Sequence, residues 1–144
     1  TGNNVWATNK HFAEGKTTVL LCSHHDTVRP AEGYTRDPFD PVVYEGKLFG
    51  LGSNDAGASL AAMAAAFTWF YPFPDLPFNL VFAGVAEEEI SGKGGVEMLL
   101  PHLPALDCAL VGEPTGCQLA VAEKGLMVLD CTTTGRAGHA ARDE

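Results

Sequence analysis

Lys and Arg are scarce in this sequence, 9 against 18 Asp and Glu, and the formal net charge is −9. A protein that grips nucleic acid by neutralising phosphates needs the opposite balance, so no nucleic-acid partner is expected. Paired cysteine motifs are missing as well. Cys22, Cys108, Cys117 and Cys131 form no Cys-x-x-Cys unit and are too sparse for a disulfide scaffold. Reduced thiols in a cytoplasmic protein are the plainer expectation. No apolar run is long enough to cross a bilayer, since the Ala-rich stretch around Ala61 is short and interrupted. No membrane partner is expected either. The opening Thr1-Gly2-Asn3-Asn4 has neither the basic start nor the apolar run of a signal peptide. There is no starting Met, and the chain stops at Arg142-Asp143-Glu144 just after a Gly-rich segment. A truncated piece of a longer protein is the expectation.

What is present describes a folded domain. Hydrophobic residues make up 46% of the 144 positions and charged residues 19%, which allows one ordinary domain with a buried core. Thr17 to Cys22 (TTVLLC) is a continuous, β-branched apolar run that suits a buried strand. Val42–Tyr44 and Lys47–Phe49, joined by Glu45-Gly46, read as a hairpin. The segment ASLAAMAAAFTWF predicts a helix, capped by Asn54 or Asp55 and stopped by Pro72 and Pro74. Phe78 to Val85 predicts a second buried strand, Gly92 to Leu100 a short helix closed by Pro101, and Cys108 to Val111 a third strand. Leu119–Ala122 and Leu126–Thr134 read as further strands joined at Lys124-Gly125. Alternating strands and helices imply an α/β fold, a mixed sheet with helices on both faces.

Ligands in such folds gather at the carboxyl ends of the strands. The first strand ends in Ser23-His24-His25-Asp26, and Asp55 precedes the Ala-rich helix. The second strand is followed by Glu87-Glu88-Glu89, and the third by Gly112-Glu113. Each residue alone has a bland explanation: a structural histidine, a helix cap, a solvated acidic turn, a loop carboxylate. Their convergence does not. Adjacent carboxylates at the mouth of a buried strand repel one another and need compensating positive charge, which the few nearby Lys and Arg residues do not supply. Divalent metal ions do. Imidazole and carboxylate without thiolate suit zinc first, with cobalt or manganese as substitutes. An aspartate can bridge two ions, and one of two adjacent glutamates can bind metal while its neighbour accepts a proton from water.

Taken in order, the segments SHHDTV, GLGSNDAGAS, VAEEEISG and VGEPTG resemble the metallopeptidase family that includes acetylornithine deacetylase and succinyl-diaminopimelate desuccinylase. The resemblance runs from about Thr17 to the end of the chain, and its nearest branch is acetylornithine deacetylase. It implies a zinc-exopeptidase-like catalytic domain over residues 1–123 and the start of a lid and dimerisation domain over 124–144. By the same resemblance, His24 and Glu113 bind one metal ion, Asp55 bridges two, and Glu89 binds the second. Asp26 hydrogen-bonds the far nitrogen of His24, and Glu88 is the general base and later acid. His139, in GRAGHA, matches a lid histidine that reaches a neighbouring subunit's site and stabilises an oxyanion. The family also requires a second histidine ligand that neither His11 nor His102 matches, which agrees with truncation. The implied activity is removal of an acyl group from an N-acyl amino acid by a homodimer, with N-acetylornithine in arginine biosynthesis as the leading substrate. Related deacylases and dipeptidases remain open, as does a non-catalytic metal-binding domain. Arg29, Arg36 and Arg136 could hold a substrate carboxylate, although surface solvation is the plainer role for each. The Gly-rich segments match neither a phosphate loop nor a dinucleotide fingerprint.

Overall fold

The computed structural model describes residues 2–122, 124, 125, 127 and 129–135. Its strands are β1 (Val5–Thr8), β2 (Thr18–His24), β3 (Val42–Tyr44), β4 (Lys47–Phe49), β5 (Asn79–Val85) and β6 (Cys108–Val111). Its α-helices are α1 (Gly57–Phe70) and α2 (Val96–Leu99), the second continuing into a 3-10 turn over Leu100–His102. Four strands form one sheet in the order β1-β5-β2-β6, with β5 and β6 parallel to β2 and β1 antiparallel to β5. The sheet is therefore mixed, as expected.

Register divides the core into two layers. Leu20 pairs with Val81 and Cys22 with Ala83, and these side chains pack with Val85 and with Leu99 of α2. Leu21 pairs with Phe82, and the other face packs with Phe67, Met63 and Phe70 of α1. Helices thus cover both faces. Leu99 is 0% exposed, and a Leu→Ala change at such a site typically costs about 2–5 kcal/mol.

The hairpin falls where expected, with Val42 opposite Phe49 and Tyr44 opposite Lys47. Its turn residues Glu45 (φ 49) and Gly46 (φ 73) both adopt the left-handed backbone of a tight primed turn. Strand β2 runs two residues past its apolar stretch because the polar side chains there are satisfied. The Ser23 hydroxyl donates to the Gly112 carbonyl at 2.8 Å, and His24 has partners described below.

Three expectations change. Asp55 does not cap α1; Ala56 occupies the cap position without a side-chain bond, and the Asp55 carboxylate turns to His24 instead. The second helix begins only at Val96, and Gly92 and Gly94 ahead of it close on the Glu87 side chain instead. Among the described residues, 119–122, 127 and 129–134 form no strand: Leu119 is 83% and Val121 89% exposed, and no neighbouring backbone pairs with them. Strand β1 went unpredicted, since four residues with an exposed, alternating pattern carry no buried run. No helix among the described residues is long and apolar enough to cross a membrane.

Candidate active site

The parallel strands β2, β5 and β6 all end at one edge, and the chain turns there carry the acidic and imidazole groups. His24 is the last residue of β2, and its ring is 1% exposed. Its Nδ1 donates to the Asp26 carbonyl oxygen at 3.0 Å, and its Nε2 stands 3.0 Å from Asp55 Oδ1. Glu113 Oε2 lies 3.8 Å and Glu88 Oε2 3.9 Å from the same Nε2. One imidazole from β2 therefore faces carboxylates carried by the start of α1, the end of β5 and the end of β6.

Electrostatics follow from this crowding. Burial pushes the His24 pKa down, but the Asp55 bond, the Asp26 carbonyl and the Glu113 and Glu88 charges outweigh it, and the pKa rises above its ordinary 6.5. Burial raises the Glu113 pKa, opposed by His24 and reinforced by the charges of Glu88, Asp55 and Glu89. Burial, helped by Glu113, likewise pushes the Cys22 thiol up. Even a full positive charge on His24 would leave the four carboxylates Asp55, Glu88, Glu89 and Glu113 undercompensated. His24, Asp55 and Glu113 each offer a ligand atom, all within 4.8 Å of one another. The Nδ1 bond keeps a proton on that nitrogen, so Nε2 is the nitrogen that can face a cation. Imidazole with carboxylate oxygens is the donor set of zinc and related ions, and these residues fit such a metal.

The other site residues divide. Asp26 does not hold His24 through its carboxylate, which stands 3.6 Å from Nδ1, beyond a good hydrogen bond. The Asp26 backbone carbonyl takes that place at 3.0 Å. The freed carboxylate accepts the amides of Glu88 and Glu89 at 3.3 and 3.2 Å. Among the described residues, Glu89 stays outside the three-donor group, although Glu113 feels its charge. His25 points elsewhere, bonding the Asn3 carbonyl at 3.0 Å through Nε2. The Arg36 guanidinium stacks on Phe49 at 4.7 Å and Tyr44 at 5.3 Å, so it pins its loop to the hairpin. His139 and Arg136 lie outside the described residues.

Asn4 escaped sequence reading. Its side chain accepts from the Ala86 amide at 2.9 Å and donates to the Gly94 and Gly95 carbonyls at 2.8 and 3.1 Å, clamping the loop that carries Glu88 and Glu89. No local pattern announces it, because its partners are distant in sequence.

Residues 20–128 match the profile described as "Peptidase family M20/M25/M40", and the chain belongs to that family. Among curated relatives, it is 38% identical over 149 residues to a succinyl-diaminopimelate desuccinylase of Buchnera aphidicola subsp. Cinara cedri (strain Cc), covering 97% of this chain and 36% of that protein. It is 35% identical over 131 residues to an acetylornithine deacetylase of Pectobacterium carotovorum subsp. carotovorum (strain PC1), covering 90% of this chain and 34% of that protein. The chain thus spans about a third of the length of these relatives. Among solved structures, human carnosine dipeptidase 1 superposes with a TM-score of 0.57 at 26% identity, over 76% of this chain and 25% of that one.

Proposed function

We propose that the full-length protein is a two-metal, zinc-dependent amidohydrolase that removes the acyl group from an N-acyl amino acid, with N-acetylornithine as the leading substrate. The observation that carries this reading is the meeting of His24, Asp55 and Glu113 at the carboxyl ends of parallel strands, with Glu88 beside them. The family membership and the names of the two curated relatives support the substrate class.

In this reading His24, Asp55 and Glu113 would hold one ion, and Asp55 with Glu89 would hold the second. Bound there, the ions supply Lewis-acid polarisation of the scissile carbonyl and make a water more acidic. Glu88 is exposed and touches His24 only at 3.9 Å, so its carboxylate is free to take a proton from the attacking water. It then delivers that proton to the amine nitrogen as the amide C–N bond breaks. The Asp26 carbonyl keeps the His24 ring oriented, and the Asp26 carboxylate keeps the Glu88 and Glu89 amides in place. Residues 1–123 form part of the catalytic domain, 124–144 begin the lid, and His139 serves a homodimer partner's site. The cytoplasm is the compartment that unpaired Cys22, Cys108, Cys117 and Cys131 favour.

A non-catalytic metal-binding domain is the competing reading from another class, and it leaves the unliganded Glu88 without a purpose. Full-length protein should be assayed with N-acetylornithine, N-succinyl-diaminopimelate and dipeptides, before and after chelation. Hydrolysis that disappears on chelation and returns with zinc is expected. Turnover of none of these by metal-loaded protein would reject the amidohydrolase reading.

A further inference from the structure

Three consecutive glutamates follow β5, and the first is built differently from the other two. Glu87 sits at φ 59, a left-handed conformation that a non-glycine residue keeps only when its surroundings hold it. Its carboxylate accepts the Gly94 amide at 2.8 Å, and its backbone carbonyl accepts the Gly92 amide at 2.8 Å. A Cβ placed on Gly92 would collide with Glu87 Oε2 and stand 2.7 Å from Glu87 Cβ. A Cβ on Gly94 would collide with Oε1 and stand 2.7 Å from Cδ. The two glycines therefore form a socket that only a missing side chain leaves open, and the Glu87 carboxylate fills it.

The tethers of the next two residues are weaker. Glu88 and Glu89 reach the Asp26 carboxylate at 3.3 and 3.2 Å, longer than the usual 2.9–3.0 Å. Ahead of Glu87, Asn4 holds the Ala86 amide, and beyond it Asn4 holds the Gly94 and Gly95 carbonyls. The loop is thus clamped at both ends, and Glu87 closes the middle immediately before the two functional carboxylates.

We propose that Glu87 is a positioning residue for this site. Its carboxylate, seated against Gly92 and Gly94, fixes the turn that presents Glu88 and Glu89, and it acts through them without touching substrate or metal. The inference rests on the reading of Glu88 as the base. What matters is a hydrogen-bond acceptor in the socket and not its negative charge, which separates this role from that of a ligand.

The test uses full-length, metal-loaded protein with the Glu87→Ala, Glu87→Gln and Gly94→Ala variants. Glu87→Ala should lower kcat about 10–100-fold, the scale of a small misplacement at a reacting centre, with KM within about two-fold of wild type. Glu87→Gln, which keeps an acceptor oxygen, should restore most of that kcat. Gly94→Ala, which fills the socket with Glu87 intact, should reproduce the loss, and it stands in for Glu87→Ala if that variant does not fold. Amide hydrogen exchange at Gly94, whose amide the Glu87 carboxylate accepts, should speed about ten-fold in Glu87→Ala and return in Glu87→Gln, consistent with loss and recovery of one local bond. Wild-type kcat in Glu87→Ala, or Glu87→Gln as impaired as Glu87→Ala, would overturn the inference. If wild-type protein hydrolyses none of the substrates, the reading of the site falls. The exchange rates then decide separately, and unchanged exchange in Glu87→Ala overturns the socket.

Discussion

Asn79 and His24 occupy opposite ends of the paired strands β5 and β2, and each is 1% exposed. Asn79 is matched by neutral groups. It accepts from the Ala13 amide at 2.9 Å and donates to the Ala13 carbonyl at 2.8 Å and the Thr18 hydroxyl at 3.2 Å. Next to it, Asp107 accepts the Thr18 amide at 2.7 Å. His24 meets one carbonyl and a surplus of carboxylates. The first end is complete as it stands. The second gathers more carboxylates than its one imidazole can offset, so the same sheet separates a neutral, fully matched end from a charged one.

The largest effect that would sharpen this contrast concerns Glu88. In metal-loaded full-length protein, Glu88→Ala should lower kcat about 10²–10⁴-fold with metal content unchanged by elemental analysis, as removal of a general base does. Retained turnover would remove the charged end's defining residue.

Metal removal comes next. Zinc at about a hundred times its dissociation constant should stabilise the protein by about 2.7 kcal/mol, read as a higher melting temperature lost on chelation. Asp55→Ala should abolish most of that increment. An equal zinc-dependent shift in the variant would break the assignment of Asp55 to the metal.

At the other end, Asn79→Ala should destabilise by roughly 1–3 kcal/mol in denaturant unfolding, because it strands the Ala13 amide and carbonyl. The zinc increment should survive unchanged. A variant that lost zinc binding without losing stability would dissolve the distinction between the ends.

The smallest effect is a pH dependence confined to the charged end. Without metal, the folded pKa values of His24 and Glu113 both lie above their ordinary 6.5 and 4.5. Both groups hold their protons more tightly when folded. Their contribution is therefore full below those ordinary values and is lost as pH rises through the raised ones. The melting temperature of chelated protein should fall as pH rises past the ordinary 4.5 of Glu113 and 6.5 of His24. Zinc should flatten or reverse that slope, since metal competes with protons for the same atoms. A chelated protein whose stability rises over that range would contradict the balance drawn here.

Much of this architecture was legible because it depends on local chemistry. The hairpin bounds follow from a turn that demands positive φ at Glu45 and Gly46, and α1 follows from alanine content. His24, Asp55 and Glu113 were legible because strand ends and helix starts in α/β sheets are where such groups meet. Strand β1 was not, because an edge strand is made by the partner it joins. Leu119, Val121, Met127 and Leu129 teach the converse: among the described residues of that segment, apolar side chains with no strand beside them stay exposed. The division of labour within Glu87–Glu89 and the grip of Asp26 on two amides depend on contacts far apart in sequence, and no local pattern encodes them.

Asp26 gives the site an unusual economy of parts. Its main chain orients a residue of β2, and its side chain steadies a turn that belongs to β5. Anyone grafting this constellation into another scaffold would have to transplant both strand ends as one cassette. A substitution at position 26 removes only the side-chain half of this arrangement, so it should be felt at Glu88 and Glu89 together, and its effects should not add to those of changes at either one.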